Sequence, residues 1–404
     1  MFMGKEDSKW NDTFLTPFSL KTDPYAEQII SDIIAEKGFI ALRNLFTALS
    51  NDHSEIIKST TLHQSVIDYF NTEMSLPVWA DQSKIKLAQA VYLRFAPQIA
   101  LILNFKALPL CYACKNGAMA LTATGRLTGA DKDPGKIVRR LFETSQMVIN
   151  VMSPGGFLPA GKGIVTVKKV RLYHAAIRSF LLNQQTEEFK WDVSKYGCPI
   201  NQEEMAGTLM AFSALVIDGL NKVGAVMTEE EKDAYIHCWN IVGHFIGLDP
   251  ALFPTSYNDA WNLGIAIINK NKEESNNGKL LTANLLMFSD NFFGDTILTK
   301  MLFNAIPQYL ITYFINDVSQ KIEVDILKIV GANKKINFFN RIKGKIFIKI
   351  ITLVSQEEDK DAFVRKLFTK TTSKFLQGVI NQHLKIYNTP FYIPSSLKES
   401  WKMN

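Results

Sequence analysis

Cysteine, proline and glycine are all sparse in this chain of 404 residues. Four cysteines, at positions 111, 114, 198 and 238, are too few for the disulfide framework of a small secreted protein. Fourteen prolines and 22 glycines exclude a collagen-like or linker-dominated chain. No stretch approaches about twenty uninterrupted apolar residues, which argues against a membrane-spanning helix.

The chain also begins without the pattern of a secretory signal. Its first residues, MFMGKEDSKWNDTF, contain acidic side chains among the basic ones and are followed by no apolar core. An apolar fraction of 47% with 21% charged residues is typical of a globular protein and excludes wholesale disorder. We therefore expect a folded, cytoplasmic protein in a reducing compartment.

The net charge of +6 is concentrated near the C-terminal end. Residues 321–404 hold 16 Lys and Arg against 7 Asp and Glu, whereas the rest of the chain holds 29 against 32. Such a region can dock on an anionic membrane or on nucleic acid, although a solvated surface is the simpler interpretation. Nucleic acid is not expected as a partner. Peripheral membrane contact is expected through a basic and apolar cluster: Lys343, Lys345, Lys349, Phe347 and Ile348.

Apolar residues recur at helical spacing through most of the chain, and strand-like alternation is rare. The clearest helical stretches are residues 26–37, 56–70, 137–152, 167–182, 203–223 and 229–246. Asp23 is placed to cap the first of these, Pro24 suits its first turn, and Gly38 ends it. The sequence therefore predicts an all-α fold.

One glycine-rich loop, GGFLPAGKG at 155–163, has the spacing of a phosphate-binding loop from Gly156 to Lys162. Such a loop requires a preceding strand and a hydroxyl side chain after the lysine to bind magnesium. Here a helical pattern precedes the loop, and Gly163 has no hydroxyl. The loop is predicted to connect two helices rather than to bind a nucleotide.

The cysteines and two of the histidines show no pattern of a metal or redox site. Cys111 and Cys114 form a lone C-x-x-C pair, so two half-buried free thiols are expected. His237 and His244 are seven residues apart on one helix, about 10 Å in rise, which is too far to share a metal. They are predicted to be core or interface histidines.

The segment KVRLYHAAIRSFLL, residues 169–182, carries two arginines and a histidine on one helical face. Arg171, His174 and Arg178 are three and four residues apart and so form one stripe. A haem satisfies this pattern, because an imidazole ligates iron and guanidinium groups pair with propionates. On spacing alone, a satisfied histidine beside two surface arginines is the simpler interpretation.

A second polar stripe lies upstream in the segment 133–148. Arg140 and Thr144 share a helical face, and Glu143 is adjacent to it. Because apolar residues surround them, these groups either cap a pocket or form the solvated face. Farther along the chain, Asn201 and Glu204 predict a capping box at the start of a helix.

Several segments in this order resemble the rubber oxygenase (latex-clearing protein) superfamily, which also holds the endoplasmic-reticulum-bound oxygenases of mycophenolic acid biosynthesis. They are LTATGRL (121–127), RRLFET (139–144), GGFLPAGKG (155–163), KVRLYHAAIR (169–178), GCPINQEEMAGTLMAFS (197–213) and WNIVGHFIGLDPALFP (239–254). The segment PFYIPSSLKESW at 390–401 is similar to the terminal motif of longer members. The R-x-x-H-x-x-x-R pattern is the most specific of these features.

The resemblance implies an all-α, globin-like core with added helices that binds one haem b. Residues 1–320 would form the haem-binding catalytic domain, and residues 321–404 a basic helical extension packed on it. The implied reaction uses O₂ to oxidise or cleave a C=C bond of an apolar, isoprenoid- or lipid-like substrate.

The resemblance also assigns roles to the two polar stripes. His174 would be the proximal iron ligand. Arg171 and Arg178 would orient its helix and pair with the propionates or with neighbouring acids. Arg140 and Thr144 would line the haem pocket.

Two departures from the family pattern bear on the substrate. Rubber oxygenases have a distal glutamate, proposed as a base, before the RRLFET-like segment, but residues 82–130 here contain no Asp or Glu. A lysine that closes the iron site in some members is replaced by Glu143, which either serves as acid or base or pairs with Arg139 or Arg140. With no secretory signal expected, a small intracellular alkene is favoured over extracellular rubber.

Two other functions remain open at this point. One is a haem-binding sensor or carrier without oxygenase turnover. The other is a haemless helical protein that binds lipid or serves as a scaffold.

Overall fold

A computed structural model describes residues 9–38, 40–49, 53–123, 134–183, 190–292 and 305–356. In these ranges the regular structure is helical, apart from one isolated β-bridge, so the prediction of an all-α fold is confirmed. The helices of the N-terminal half are α1 (Asp12–Leu15), α2 (Pro24–Lys37), α3 (Ile40–Ala48), α4 (His53–Ile57), α5 (Gln64–Asn71), α6 (Gln82–Ile102), α7 (Leu108–Ala113), α8 (Lys115–Ala123), α9 (Pro134–Met152) and α10 (Lys162–Asn183). Those that follow are α11 (Val193–Tyr196), α12 (Gln202–Phe212), α13 (Ala214–Lys222), α14 (Glu229–Ile246), α15 (Tyr257–Asn271), α16 (Asn276–Phe292), α17 (Ile306–Lys321), α18 (Ile326–Ile329) and α19 (Phe338–Gln356).

Helix α2 begins and ends as its sequence predicts. The Asp23 side chain accepts the N–H of Ala26, and Pro24 occupies the first turn, where its missing N–H is not needed. Gly38 ends the helix at a φ of +69°, a region that favours glycine. The helices predicted over 137–152, 167–182 and 229–246 are also present.

Two stretches predicted as single helices are each divided, and those predictions were wrong. Residues 56–70 fall into α4 and α5, with Ser59 and Thr61 bonded to each other at 3.2 Å in the turn between them. Residues 203–223 are broken at Ser213, whose φ and ψ of −116° and −83° are not helical. Its hydroxyl bonds the Leu209 carbonyl at 2.7 Å. Local hydroxyl hydrogen bonds of this kind compete with the helix.

Two large hydrophobic clusters fill the molecule, and α10 contributes to both. The larger cluster joins α6 and α14 with α12, α13, α15 and α17. The second joins α2, α3 and α5 to α10. Val167 faces the larger cluster, whereas Leu172 and Ala176 face the second, and all three are fully buried. Helix α10 is therefore held on two sides.

The segment from α6 to α7 is long, apolar and irregular. Pro97 lies inside α6, and Phe95 departs from helical angles just before it. A π-helical segment, Leu103–Ala107, then leads into α7. By length and composition, Gln82–Ala113 is apolar enough to cross a membrane. However, 67% of its most apolar 18-residue window is buried in the molecule. This segment contributes many of its residues to the larger hydrophobic cluster.

Helix α19 packs on α17 and thereby on the larger cluster. Gly344 faces the Tyr309 ring, where any side chain would collide, and Ile348 and Ile351 are buried. Ser355 accepts a hydrogen bond from the Gln98 amide at 3.2 Å. Residues 357–404 lie outside the described part of the chain. The division at residue 320 therefore remains a prediction.

Candidate functional site

The glycine-rich loop connects α9 to α10, and backbone N–H groups at its end donate hydrogen bonds to a carbonyl of the loop itself. The N–H groups of Gly163 and Ile164 both donate to the Gly156 carbonyl, at 2.9 and 3.3 Å. A side chain at position 156, 161 or 163 would collide with backbone carbonyls less than 3 Å away. These two N–H groups are therefore not available to a phosphate.

Helices α9 and α10 pack against each other, and one contact between them sets the level of the two polar stripes along the pair. The Asn150 amide donates to the Thr166 hydroxyl at 2.8 Å. From this contact, Glu143 and Thr144 lie six or seven residues back along α9, and His174 lies eight residues forward along α10. At 1.5 Å per residue, the three residues are therefore at the same level along the pair to within about one turn. Both Glu143 and Thr144 are half-buried. The side chain of Arg140 lies outside the described residues, so its predicted pocket role remains a prediction.

Arg171 is bound by a carboxylate of α2. Its Nε and Nη2 donate to the two carboxylate oxygens of Asp23 at 2.6 and 2.8 Å. This bidentate geometry gives both strength and a fixed orientation. Asp23 is only 4% exposed and also caps α2, so one carboxylate joins the start of α2 to the middle of α10.

Arg178 lies about two turns farther along the same stripe and is also bound by a carboxylate of α2. Its side chain is 1% exposed. The Nε donates to Glu27 at 2.6 Å, and the Nη1 donates to the Ile200 carbonyl at 2.9 Å. The resemblance implied that the two arginines pair either with haem propionates or with neighbouring acids. The structure shows pairs with neighbouring acids. The simpler interpretation of surface arginines was wrong, since burial by α2 and residue Ile200 encloses them.

One donor of Arg178 is left over. Its Nη2 is buried and has no hydrogen-bond partner among the residues that the structure describes. A buried guanidinium N–H without an acceptor is costly, and an anionic group is its preferred partner. This orphaned donor fits the propionate edge of a haem.

His174 lies between the two arginines on α10 and is half-buried. Its stripe continues through Ile177 and Leu181, which pack with Met119 and Ala120 of α8. The described residues contain no group of three or more His, Cys, Asp or Glu that could hold a bare metal ion. A single imidazole donor suits a metal that brings its own equatorial ligands, as haem iron does. The donor set and the orphaned arginine group therefore fit a b-type haem.

Glu204 is a further candidate that its sequence pattern assigned only to capping. The capping role is confirmed on one side, because the Asn201 side chain accepts the Glu204 N–H at 2.9 Å. Its carboxyl lies against α8 beside Gly117 and near Arg178. Burial raises the pKa of Glu204 from 4.5 to about 8, against the opposing effect of backbone hydrogen bonds from Ile200 and Asn201. It is therefore a carboxyl that holds a proton near neutral pH.

The cysteine pair has no redox character. Cys111 and Cys114 are free and half-buried, as predicted. Burial raises the pKa of Cys111 to about 12 and raises that of Cys114 as well. Thiols with such pKa values stay protonated and unreactive at neutral pH.

The two histidines of α14 are interface residues, as predicted. Their rings both contact Trp79 edge-on, at centroid distances of 5.6 Å for His237 and 6.1 Å for His244. The His237 Nε2 accepts the N–H of Asp81 at 2.9 Å. Burial lowers the pKa of both imidazoles, which keeps them neutral.

Comparison with known proteins finds a family model that matches the part of the chain holding His174. The family model "ER-bound oxygenase mpaB/B'/Rubber oxygenase, catalytic domain" matches residues 101–270, which include α9, α10 and α12. Rubber oxygenase from Streptomyces sp. (strain K30) is 23% identical over 211 residues, covering 51% of this chain and 50% of that protein. The chain thus matches about half the length of this curated relative.

A solved structure extends the likeness to nearly the whole fold. Latex clearing protein in the closed state superposes with a TM-score of 0.68 over 89% of this chain and 90% of that one, at 16% sequence identity. The two chains therefore share an all-α fold. Within that fold, residues 101–270 match the catalytic-domain model of the rubber oxygenase superfamily, and the chain as a whole is similar to its members. The globin-like arrangement of the core remains a prediction.

Proposed function

We propose that this protein is a haem b-dependent oxygenase that uses O₂ to oxidise or cleave a C=C bond of an apolar, isoprenoid- or lipid-like substrate. Membership of an oxygenase family supports the reaction class. The observation that carries the proposal is the position of His174, between two arginines that α2 holds by buried ion pairs.

In this proposal the chain's residues hold and orient the cofactor. The imidazole of His174 would hold the haem iron, and the orphaned Nη2 of Arg178 would pair with an anionic group of the haem. The pairs Arg171–Asp23 and Arg178–Glu27 fix the rotation of α10 against α2, so that the imidazole keeps one direction. A bound haem would supply the iron that makes O₂ reactive toward an alkene.

The proposed catalytic groups lie on α9. The Thr144 hydroxyl donates a hydrogen bond toward the reacting oxygen atoms, and the Glu143 carboxylate takes up or returns a proton. Arg140 lines the same pocket in this proposal. Cleavage of one C=C bond by one O₂ yields two carbonyl groups, so the reaction requires no external reductant.

A cytoplasmic location with peripheral membrane contact is part of the proposal. Free thiols with raised pKa values suit a reducing compartment. An apolar substrate is concentrated in membranes, so an enzyme that acts on it gains from contact with their surface.

The reaction is tested by oxygen uptake and product analysis. Haem-loaded protein is given geranylgeraniol or its fully saturated counterpart, with ¹⁸O₂ as the gas. We expect uptake and labelled carbonyl products with the alkene alone. No uptake by fully haem-loaded protein with any unsaturated probe contradicts the oxygenase proposal and favours a sensor or carrier.

The pocket residues are tested in the same assay. Thr144→Val and Glu143→Gln are expected to lower kcat by about 100-fold at unchanged haem content, since a positioned proton donor or acceptor contributes about that much. Thr16→Val is the matched control, because Thr16 is exposed and bonds only its own helix. Equal rates for all three variants would remove Thr144 and Glu143 from the mechanism.

A further inference from the structure

The C-terminal part of the described chain carries charge of one sign only. Residues 326–356 contain seven Lys and Arg and no Asp or Glu. Most of this stretch is α19, which is about 28 Å long. A long basic segment without acids has a strong attraction for anionic surfaces.

Helix α19 has one face in the core and one outside. The inner face is the series Gly344, Ile348, Ile351 and Ser355, spaced four, three and four residues apart and buried on α17. The outer face is apolar too: Phe338, Phe339, Ile342, Ile346 and Leu353 are exposed. Phe338 and Phe339 are the most exposed of these, at 71% and 74%, and their rings contact each other edge-on at 6.0 Å.

Basic side chains border this outer apolar stripe. Arg341, Lys345 and Lys349 are exposed and follow one another at four-residue intervals, so they line one flank of the stripe. Lys334 and Lys335 are exposed just before the helix begins. Long basic side chains beside an apolar stripe can reach lipid phosphates while the stripe enters the acyl region.

The exposed apolar residues of α19 differ from those expected from the sequence to meet a membrane. Ile348 is buried, and Phe347 packs against the larger cluster. Their expected role in membrane contact was wrong, because the helix turns them toward α17. The exposed apolar side chains are instead those of Ile342 and Ile346, together with the two phenylalanines at the start of the helix.

We propose that the outer face of α19 docks on an anionic lipid bilayer, with Phe338, Phe339, Ile342 and Ile346 in the headgroup–acyl boundary. A bilayer offers an apolar layer beneath a negatively charged one, which matches both parts of this face. Nucleic acid would match the charge but leave the aliphatic stripe uncovered. The inference locates on α19 the membrane contact that the proposed function includes, and its evidence, charge and exposure, is separate from that for the oxygenase reaction.

Vesicle flotation of the full chain tests the docking. The vesicles are phosphatidylcholine alone, or phosphatidylcholine with about 30% phosphatidylserine. We expect binding to the anionic vesicles at low salt, loss of most binding at about 0.5 M salt, and little binding to the neutral vesicles.

Two double variants separate the two parts of the face. Each basic group near such a surface contributes about fivefold to the partition coefficient, so Lys345→Glu/Lys349→Glu lowers it by at least about 25-fold. Phe338→Ala/Phe339→Ala is expected to lower it by at least about tenfold on both vesicle types. The matched controls are Lys58→Glu/Lys86→Glu and Val226→Ala/Leu158→Ala, which change exposed residues elsewhere and should bind as the parent does.

Several outcomes would overturn the proposal. They are an absence of binding to anionic vesicles, equal loss in the control variants, and unchanged binding in both α19 variants. A concentration-dependent dimer in sedimentation velocity that both α19 variants abolish would assign the face to a second copy of the chain. Thermal unfolding of each variant confirms that it is folded, which is expected because none of the four α19 side chains is buried.

Discussion

The residues around His174 show how buried charges are balanced one by one. Arg171 and Arg178 face Asp23 and Glu27, which lie about 150 residues earlier in the chain. The spacing of the two arginines with His174 was visible in the sequence, because it follows from helical geometry. Their acidic partners were not, because only the tertiary packing of α2 on α10 brings them together.

Removal of the Arg178 side chain should reveal the strength of this arrangement. Arg178→Met leaves Glu27 without its partner, but Glu27 is partly exposed and can turn to water. We expect a loss of about 2–3 kcal/mol in the free energy of unfolding, less than for a fully enclosed pair. Urea denaturation measures it, with Lys232→Met as control, since its pair with Glu229 is at the surface and should matter little. Equal effects of the two substitutions would mean that the Arg178 pair is not a structural link.

Glu204 gives the stability of the protein a distinct pH dependence. Its pKa is about 8 in the folded chain and 4.5 as the reference value, so the folded state holds the proton more tightly. This contribution to stability is fully present below about pH 4.5 and is lost as the pH rises through about 8. In Glu204→Gln the loss is absent, so the variant should become more stable than the parent above neutral pH, by a few kcal/mol at most. Parallel stability curves for the two proteins from pH 5 to 9 would contradict the raised pKa.

At the scale of elements, the irregular segment after α6 is the least predictable part of the fold. The π-helical stretch Leu103–Ala107 turns Lys106 inward, where it is fully buried and pairs with Asp218 of α13. The surrounding sequence is an apolar run, in which a lysine suggests a solvated face. The extra residue in a π-helical turn rotates the side chains that follow it, so the face that points inward changes. No local sequence pattern predicts such a turn.

The Lys106–Asp218 pair should therefore contribute measurably to stability. Lys106→Met removes the charge that balances Asp218 and is expected to destabilise the protein by about 3 kcal/mol. Adding Asp218→Asn should recover part of this loss, because no uncompensated carboxylate remains. Lys115→Met is the matched control, since Lys115 pairs with Glu273 at the surface. If Lys106→Met is as stable as this control in urea denaturation, the buried pair has no structural role.

Helix existence was predictable from periodicity, and helix division was not. The helices α9, α10 and α14 lie where apolar spacing placed them. The breaks near Ser59 and at Ser213 leave the apolar spacing nearly intact while hydroxyl groups interrupt the backbone. The exposed face of α19 could likewise not be predicted from the sequence. Both of its faces are apolar, and only packing on α17 decides which one is buried.

At the scale of the whole molecule, two hydrophobic clusters meet at α10. The larger one is built on α6 and α14, and the second on α2, α3 and α5. The helix that carries His174 is therefore fixed from both sides. Family likeness extends over most of the fold, but a TM-score of 0.68 at 16% identity concerns the fold alone. The cofactor has to be established on this chain itself.

Haem content of the His174→Ala variant is the most direct test of that central claim. Protein expressed with haem precursor is assayed by pyridine haemochrome and by its Soret band, with circular dichroism to confirm the fold. The parent and the control His63→Ala, whose imidazole pairs with Glu36 of α2, should each bind close to one b-type haem per chain. In His174→Ala we expect less than about a tenth of that content, because the imidazole that would hold the iron is gone. Full haem content with an unchanged Soret band in this variant would contradict the assignment of His174.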